Sequence, residues 1–548
     1  MPDLLLAAIG YGGYISIFKF IVFLIMFFAW IPLLTWTFHD AKGMESNEVF
    51  WTAIILGAGA IGVIIWLLTP VFIVGMLLYL IAVGGSSLAY VKHRNSLALD
   101  FDKVLTVDHI KSLLESKDKK IAKLKTYTFI TANKNEIPIP EPRTPDFFGF
   151  KTAYEILSDA LWRRASSIAF SPTPQDYNIA YYVDGSVLKQ PSIGKEQMKY
   201  FIHFVKNLAD LDTKEKRKPQ KGSFKIAKGE NSTEWEVTTA GSTAGEQVRL
   251  KEISHEELPR LHEIGLMPEQ HEQLARFNKI KQGVYIISGP TKSGITTTLY
   301  AFLRNHDAFI NHISTLERQA SHKLPNISQN TFSLSDTGTT TFAKKLLTVM
   351  RTGPDVVGIG ECEDAETAQV ACKAAADGKL VYITIKADGV IQAYAKWMKF
   401  VGDRNLAAGT LLGISNQRLV RLLCSECKQA YTPDKELLKK FNISAEKTKV
   451  LYRAGKVLYD KRGKATTCEK CQGTGHFGRV GIFEMITLTS ELRKALVQTR
   501  SLPEIGTQFR RAKMLYLQEQ ALRRVISGTV AINEMIRVLS AGKAKKTK

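Results

Sequence analysis

Almost all of the charge in this chain lies after residue 91, and this limits what the preceding residues can fold into. Residues 1–91 contain two basic side chains, Lys19 and Lys42, and four acidic ones, whereas the whole chain of 548 residues has a formal net charge of +22. A long apolar stretch in lipid satisfies its backbone polar groups by forming helices. The sequence therefore predicts a membrane segment joined to a basic soluble body.

The predicted transmembrane region covers residues 1–94. Residues 17–37 are long enough to cross a hydrocarbon core of about 30 Å as one helix. Residues 50–91 carry no charge and exceed one bilayer crossing, so two helices that turn at Thr69-Pro70 fit better, and three spans are favoured over two. No basic segment precedes the first apolar run, which argues against a signal peptide. The basic run 92–94 follows the last span and predicts a cytoplasmic body.

Composition excludes several classes of protein. With 45% hydrophobic and 23% charged residues, the chain is neither disordered nor of low complexity. Six cysteines in a chain of this length do not make a disulfide-stapled scaffold. The basic excess is typical of a body that lies against anionic lipid. Nucleic-acid binding lacks a supporting motif, so we expect no nucleic-acid partner.

The body has a predicted order of parts in an α/β fold. Residues 95–149 form a basic linker punctuated by prolines, which disrupt regular helix. Residues 150–255 mix a helical pattern with β-like runs, as in an α+β domain. Across residues 256–423 short apolar strands alternate with helices, which predicts a parallel sheet. Residues 424–484 carry paired cysteines, and residues 485–548 form helices that end in a basic tail.

A glycine-rich loop follows the predicted strand 284–288 and opens a helix. The candidate nucleotide-binding residues are Gly289, Pro290, Thr291, Lys292, Ser293, Gly294, Ile295, Thr296 and Thr297. Backbone N–H groups of such a loop bind phosphate at a helix N-terminus. The usual pattern, G-x-x-x-x-G-K-[ST], has a lysine where this chain has Ile295. Thr296 remains for Mg²⁺ and Lys292 is a candidate substitute charge; the alternative is a packing unit that has lost its ligand.

Further motifs occur in a fixed order over residues 150–540, about 70% of the chain. They lie at residues 164–168, 183–185, 215–222, 266–270, 289–294, 351–355, 360–361, 417–421 and 478–484. Together they resemble the secretion ATPases of type II secretion and type IV pilus assembly, the GspE and PilB kind. The resemblance implies a RecA-like P-loop NTPase core, a hexamer, ATP and Mg²⁺ as cofactors, and an inner-membrane platform protein as partner.

The departures from that family concentrate at the nucleotide. By resemblance, Glu361 is the carboxylate that orients attacking water and Glu317 is the first glutamate of the family's Asp box; both are candidate catalytic residues. Other family positions are changed: a lysine, an aspartate, an arginine and a histidine are replaced here by Ile295, Arg318, Glu363 and Lys386. Losing one contact to phosphate lowers the rate by roughly 10²–10³-fold.

These changes predict a nucleotide binder with weak or absent hydrolysis, a pseudo-ATPase that joins a homo-hexamer or a hetero-oligomer with an active paralogue. One alternative is an active motor that powers pilin or pseudopilin assembly, with Lys292 replacing the missing lysine. Complete loss of nucleotide binding is another. A nucleic-acid translocase is the least supported alternative, since no element for contacting bases or their backbone is found.

Two cysteine pairs, Cys424-x-x-Cys427 and Cys468-x-x-Cys471, have the spacing of zinc knuckles. Four thiolates fill a tetrahedral Zn²⁺ site, so the predicted metal is structural rather than catalytic. The pairs also fall where the resembled family carries its tetracysteine motif. The alternative is four reduced structural thiols.

Overall fold

The computed structural model describes most of the chain. The described residues are 17–44, 46–97, 103–106, 124–141, 144–253, 257–333, 341–444, 446, 448–455, 458–459, 465–499 and 501–540. The predicted basic tail after residue 540 lies outside them. The chain divides into two compact units, which comprise Met1–Ser158, Ala169–Ile179 and Gln190–Leu250 in the first and Asp159–Ile168, Ala180–Lys189 and Lys251–Lys548 in the second.

In the described part of the chain, three helices are long and apolar enough to cross a membrane, by length and composition. They are α1 (Ile17–Gly43), α2 (Glu48–Leu68) and α3 (Phe72–Leu97). The break between α2 and α3 falls where it was predicted. Thr69 takes an extended backbone, with φ −80° and ψ 125°, because Pro70 disfavours the helical conformation for the residue before it.

The three helices alternate in direction. At one end, Arg94 Nε of α3 lies 2.9 Å from Asp40 Oδ2 of α1, and Tyr90 Oη donates a hydrogen bond of 2.7 Å to the same oxygen. At the other end, Lys19 Nζ near the start of α1 lies 5.7 Å from the ring centre of Phe72, the first residue of α3. The start of α1 and the end of α3 therefore lie at opposite ends of the helical bundle.

An eight-stranded sheet carries the predicted α+β part. Its strands are β1 (Thr128–Ile130), β2 (Glu136–Ile137), β3 (Ser167–Pro172), β4 (Asp176–Val183), β5 (Ser186–Gly194), β6 (Gln220–Lys228), β7 (Asn231–Ser242) and β8 (Gly245–Ile253). Their order across the sheet is β2-β1-β6-β7-β8-β3-β4-β5. Two helices accompany them, α4 (Pro145–Trp162) and α5 (Lys195–Leu208).

Two of these strands come from residues predicted to form a linker. β1 pairs antiparallel with both β2 and β6. Phe129 at the centre of β1 is buried and meets the rings of Phe150 and Phe204 edge-on. A strand of three residues is too short to show the alternation of polar and apolar side chains from which strands are predicted. The prolines in this segment therefore predicted a linker.

A buried ion pair joins helix α5 to strand β8. Lys206 Nζ lies 2.5 Å from Glu246 Oε1, and the two side chains are 1% and 6% exposed. The same ammonium donates hydrogen bonds to the carbonyl oxygens of Asp212 and Glu215, at 3.3 and 2.6 Å. Removing one member of such a pair leaves the other as an uncompensated charge.

The second unit is built on a seven-stranded sheet. The remaining strands of the chain are β9 (Gly283–Gly289), β10 (Ile313–Glu317), β11 (Ser328–Thr331), β12 (Val356–Ile359), β13 (Leu380–Lys386), β14 (Leu411–Leu423), β15 (Gln429–Tyr431), β16 (Leu451–Arg453), β17 (Leu458–Tyr459), β18 (Ala465–Thr466) and β19 (His476–Thr487). The sheet has the order β11-β10-β12-β13-β9-β14-β19 and is parallel except for β19, which runs antiparallel to β14. The predicted parallel α/β sheet is confirmed.

Helices accompany these strands. They are α6 (Pro268–Ala275), α7 (Ile295–Leu303), α8 (Phe342–Arg351), α9 (Ala365–Ala376), α10 (Val390–Val401), α11 (Arg404–Thr410), α12 (Lys435–Lys440), α13 (Ser490–Gln498), α14 (Leu502–Arg511), α15 (Leu517–Ile526) and α16 (Ile532–Ser540). Every residue of β9 and β12 is buried, and β13 is buried up to Lys386. Strands covered on both faces are continuous apolar runs, which is why their sequences show no polar alternation.

We expect Lys206→Met to lower the free energy of unfolding by about 3–5 kcal/mol, because Glu246 then stays buried without a partner. Chemical denaturation of the full chain in detergent measures the change. The double variant Lys206→Met/Glu246→Leu should recover most of the loss, since no charge remains buried. Lys199→Met, at an exposed position on the same helix, should stay within about 0.5 kcal/mol of the natural chain. A double variant as unstable as the single one would contradict the prediction.

Candidate functional site

The candidate residues meet because neighbouring parallel strands end together. β13 and β14 flank β9, and in their registers Lys386 lies beside Gly289 and Asn416 beside Ser288. β12 lies on the far side of β13, and β10 lies beyond β12. Ligands of open α/β sheets bind at such carboxyl ends of the strands. This edge of the sheet brings together the loop after β9 and the polar residues after β10 and β12.

The loop between β9 and α7 is tightly wound. Lys292 and Gly294 both have positive φ, at +66° and +86°, and α7 begins directly at Ile295. A side chain on Gly289 would overlap Ser293 Oγ and approach the carbonyl oxygen of Gln417 to 2.9 Å. Glycine at this position therefore lets the loop fold over the end of the strand, as in a phosphate cradle.

Ile295, which occupies the position of the usual lysine, and Lys292, the candidate substitute charge, have different surroundings in this loop. Ile295 is half-buried and packs against the apolar cluster that includes Leu299 and Tyr300. Lys292 is exposed, and its Nζ lies 5.6 Å from the ring centre of Tyr182, which belongs to the same compact unit. Ile295 thus offers a phosphate no charge.

Pro290, Thr291, Thr296 and Thr297 complete the candidate nucleotide-binding residues. Pro290 is half-buried and Thr291 exposed in the loop, whereas Thr296 and Thr297 are half-buried in the first turn of α7. A hydroxyl at the start of that helix is the kind of ligand that P-loop proteins use for Mg²⁺. The residue types present therefore fit Mg²⁺ at Thr296.

The loop also contains a buried polar atom without a protein partner. Ser293 is 3% exposed, and its Oγ makes no hydrogen bond to any described residue. Its carbonyl oxygen accepts a hydrogen bond of 2.9 Å from Gln417 Nε2 on β14. Buried hydroxyls are normally hydrogen-bonded, so Ser293 Oγ has hydrogen-bonding capacity that an external partner in the loop could use. The loop backbone and this hydroxyl fit a phosphate.

Glu317, the last residue of β10, is buried in a hydrogen-bonded cluster. Tyr300 Oη donates a bond of 2.6 Å to Glu317 Oε2, and Thr315 Oγ1 donates one of 3.1 Å to Oε1. Burial raises the pKa of Glu317, against the effect of these hydrogen bonds, which lower it. Burial, with the neighbouring carboxylate, raises the pKa of Tyr300 to about 12. Both oxygens of Glu317 therefore already accept hydrogen bonds from neighbouring side chains.

Glu361, just after β12, belongs to a chain of ion pairs at the surface. Arg318 Nε lies 2.6 Å from Glu361 Oε2, and Arg318 Nη2 lies 3.2 Å from Glu363 Oε2. Lys386 Nζ lies 2.8 Å from Glu363 Oε1. The hydrogen bond from Lys386 lowers the pKa of Glu363, and the same bond raises the pKa of Lys386. We call these four residues the charge-reversed network, because Arg318 and Glu363 stand where the resemblance places an acid and a base.

The pairing within this network was not predicted. The sequence shows each substitution by itself, but it does not show that Arg318 meets two glutamates 43 and 45 positions further along the chain. The available signal was that one change introduces a positive charge and the other a negative one. Gln417 lies in one of the family-like motifs, and nothing in that motif predicts its hydrogen bond to the loop, which comes from the pairing of β14 with β9.

The two cysteine pairs lie at one end of the β14–β19 ladder. Cys424 directly follows β14, and Cys424 N donates a hydrogen bond of 3.0 Å to the carbonyl oxygen of Gly475. At the same place Leu423 is in register with His476, the first residue of β19. Because β14 and β19 are paired, the second cysteine pair, which precedes β19, lies next to the first pair, which follows β14.

The four thiols form one cluster. Their sulfur atoms all lie within 4.8 Å of one another, with 3.8 Å between Cys424 and Cys468 and 3.5 Å between Cys427 and Cys471. All four are free cysteines. Tetrahedral zinc with Zn–S bonds of about 2.3 Å holds sulfurs about 3.8 Å apart. The cluster is therefore compatible with a closed, structural zinc site.

Comparison with known proteins identifies the family. The family described as "Type II/IV secretion system protein" matches residues 150–537. The chain belongs to this family. The predicted relationship to secretion ATPases of the GspE and PilB kind is confirmed, and the three apolar helices precede the matched segment.

Relatives share about a third or less of the matched residues. The chain is 31% identical over 385 residues to the type II secretion system ATPase E of Vibrio cholerae, covering 70% of this chain and 74% of that protein. It is 28% identical over 387 residues to the type IV pilus assembly ATPase PilB of Thermus thermophilus, covering 70% of this chain but 42% of that longer protein. The fold resembles the ATPase DotB of Legionella pneumophila, with a TM-score of 0.51, 18% identity, and coverage of 74% of this chain and 98% of DotB.

We expect the purified chain to contain about one zinc ion per chain, because four converging thiolates bind Zn²⁺ tightly. Cys468→Ser should lose the metal and lower the melting temperature. Cys372→Ser is the matched control, since Cys372 is buried outside the cluster. Elemental analysis against protein concentration measures the content. Natural protein without zinc would show that the thiols are structural without a metal. A Cys468→Ser variant that keeps its zinc would show that the four-cysteine cluster is not the zinc site.

Proposed function

We propose that this chain is a membrane-anchored member of a type II secretion or type IV pilus-like assembly machine that binds nucleotide and hydrolyses it weakly or not at all. The observation that supports this most is the ion pair of 2.6 Å between Arg318 and Glu361. By resemblance, Glu361 is the carboxylate that orients the attacking water.

A carboxylate orients water by accepting its hydrogen bond, so geometry comes first. In this chain one oxygen of Glu361 already accepts from Arg318 Nε. The neighbouring acid Glu317 is buried and held by Tyr300. Ile295 cannot stabilise charge on the phosphates, and losing one such contact slows a reaction by roughly 10²–10³-fold. Each of these three features lowers the rate of hydrolysis, so a bound nucleoside triphosphate would remain intact for longer.

The alternative is an active ATPase motor for pilin or pseudopilin assembly. The persistence of Glu361 and Thr296 favours it, and the wound loop after β9 keeps the form of a phosphate cradle. In this alternative Glu361 positions water, Thr296 binds Mg²⁺, and Lys292 replaces the missing lysine. It requires Arg318 to release Glu361 and Lys292 to leave Tyr182.

The proposed location is the inner membrane, with three spans and the body in the cytoplasm. Three apolar helices of alternating direction would place the start of α1 outside and the end of α3 inside. Residues 92–94 at that inner end are basic, in agreement with the positive-inside rule. Such an anchor makes recruitment to the membrane permanent.

The proposed partners follow from the family. A homo-hexamer, or a hetero-oligomer with an active paralogue, would act on an inner-membrane platform protein. Weak hydrolysis favours the hetero-oligomer, since an active paralogue then supplies the turnover.

We expect the full chain to remain in the membrane pellet after alkaline carbonate extraction. Carbonate releases proteins that are held by electrostatic contacts, and it does not extract three apolar helices that lie in the lipid. A truncated chain that begins at residue 95 should leave the pellet under the same treatment. Immunoblotting of pellet and supernatant measures the distribution. Release of the full chain by carbonate would contradict the spans.

We expect the full chain, purified in detergent, to hydrolyse ATP no faster than its Glu361→Gln variant. The physical reason is that Arg318 already engages this carboxylate and Ile295 provides no charge to the phosphates. Phosphate release with Mg²⁺ measures turnover, and Cys372→Ser controls for handling. A turnover near about 1 s⁻¹ that disappears in Glu361→Gln would establish the active motor instead.

A further inference from the structure

Lys386 is the last residue of β13, and its backbone lies directly beside the start of the phosphate loop. β13 and β9 are parallel and hydrogen-bonded, with Lys386 in register with Gly289. Neighbouring strands lie about 4.8 Å apart. Lys396 Nζ donates a hydrogen bond of 2.6 Å to the carbonyl oxygen of Lys386, which helps to fix its backbone. The backbone of Lys386 is therefore one strand spacing from Gly289, where the loop begins.

The ammonium of Lys386 has a partner that it can exchange. Its Nζ lies 2.8 Å from Glu363 Oε1, and the two side chains are 50% and 46% exposed. Exposed ion pairs between such side chains contribute little to stability. Lysine carries its charge on a flexible four-carbon stem, so the ammonium can move between nearby anions by changing rotamer. A more highly charged anion in the loop would compete with Glu363.

Other cations near the loop are less suited to a terminal phosphate. Arg318 is engaged by two carboxylates, those of Glu361 and Glu363. Lys292 lies over the ring of Tyr182. Ile295 contributes no charge. Ser293, which is 3% exposed, lies in the loop itself, and its Oγ makes no hydrogen bond to the described residues. The loop thus retains neutral donors and needs its charge from a neighbouring strand.

We propose that Lys386 supplies the positive charge for the terminal phosphate of a bound nucleoside triphosphate, a role that the usual pattern gives to a lysine at position 295. Glu363 is the counter-ion of Lys386 when the nucleotide is absent. This inference rests on the proposed function, because it requires the chain to bind nucleotide. Binding exchanges Glu363 for a phosphate oxygen as the partner of the ammonium, and no covalent bond changes.

Equilibrium binding tests the assignment without relying on hydrolysis. The full chain in detergent is titrated by calorimetry with Mg²⁺ and a non-hydrolysable triphosphate, the β,γ-imido analogue of ATP, and separately with ADP. Lys386→Ala should weaken binding of the triphosphate about tenfold, the size expected for one charge-assisted hydrogen bond. ADP binding should change by less than about twofold, because ADP lacks the terminal phosphate. Lys386→Arg should retain triphosphate binding.

The counter-ion gives a second test of opposite sign. Glu363→Gln should strengthen triphosphate binding, because it frees the ammonium, whereas a merely structural pair would make both variants bind more weakly. Lys373→Ala, an exposed lysine on α9, is the matched charge control and should bind as the natural chain does. Thermal unfolding of each variant checks folding, and Lys386→Gln serves if the alanine variant is unstable.

The outcomes separate the two proposals. Natural protein that binds neither nucleotide overturns the proposed function, and the assignment of Lys386 with it. Natural protein that binds the triphosphate while Lys386→Ala binds it equally well overturns only the role of Lys386. A loss confined to Lys292→Ala assigns the charge to the loop lysine instead.

Discussion

The parallel pairing of β9 with β13 and β14 determines where almost every candidate residue of the nucleotide site lies. Since all three strands run in the same direction, their carboxyl ends meet at one edge of the sheet. The loop after β9 is then flanked by Lys386 on one side and by Gln417 on the other. β9 is buried throughout and β13 is buried up to Lys386, so these two strands are fixed by core packing, whereas Lys386 at the edge is exposed and can be substituted without changing that core.

The substitutions at this edge are related to one another through charge. An arginine in the Asp box would face another positive charge if the family arginine were retained at position 363. With Glu363 there, Arg318 instead lies between two carboxylates, and Lys386 completes an alternating series of charges. A network of this kind is electrically balanced without a nucleotide. That balance gives a physical reason for the changes to occur together. The network also places the guanidinium of Arg318 beside Glu361, the carboxylate that we propose as the water-orienting group.

The three long apolar helices, α1 to α3, leave far more apolar surface exposed than the body does. The apolar side chains along α1 to α3 are largely exposed, as they are when lipid covers them. Polar contacts such as those of Arg94 with Asp40 lie where helices end.

From the sequence alone, the class of each segment was predictable where the signal is local. The apolar runs and Pro70 determined the three helices, the continuous runs of β9, β12 and β13 determined a buried parallel sheet, and the glycines determined the wound loop. Each Cys-x-x-Cys pair predicted one half of a metal site, because the spacing within a pair is a local pattern. The ladder of β14 with β19 brings the two halves together.

The tertiary structure decided what is not local. It placed β1 in a sheet although its residues resemble a linker, since pairing with β6 and packing of Phe129 against distant rings stabilise this short strand. It also turned Arg318 and Glu361, separated by 43 residues, into an ion pair. Sequence patterns record the preferences of neighbouring residues, whereas contacts between strand ends depend on the order of strands in the sheet, which no local pattern encodes.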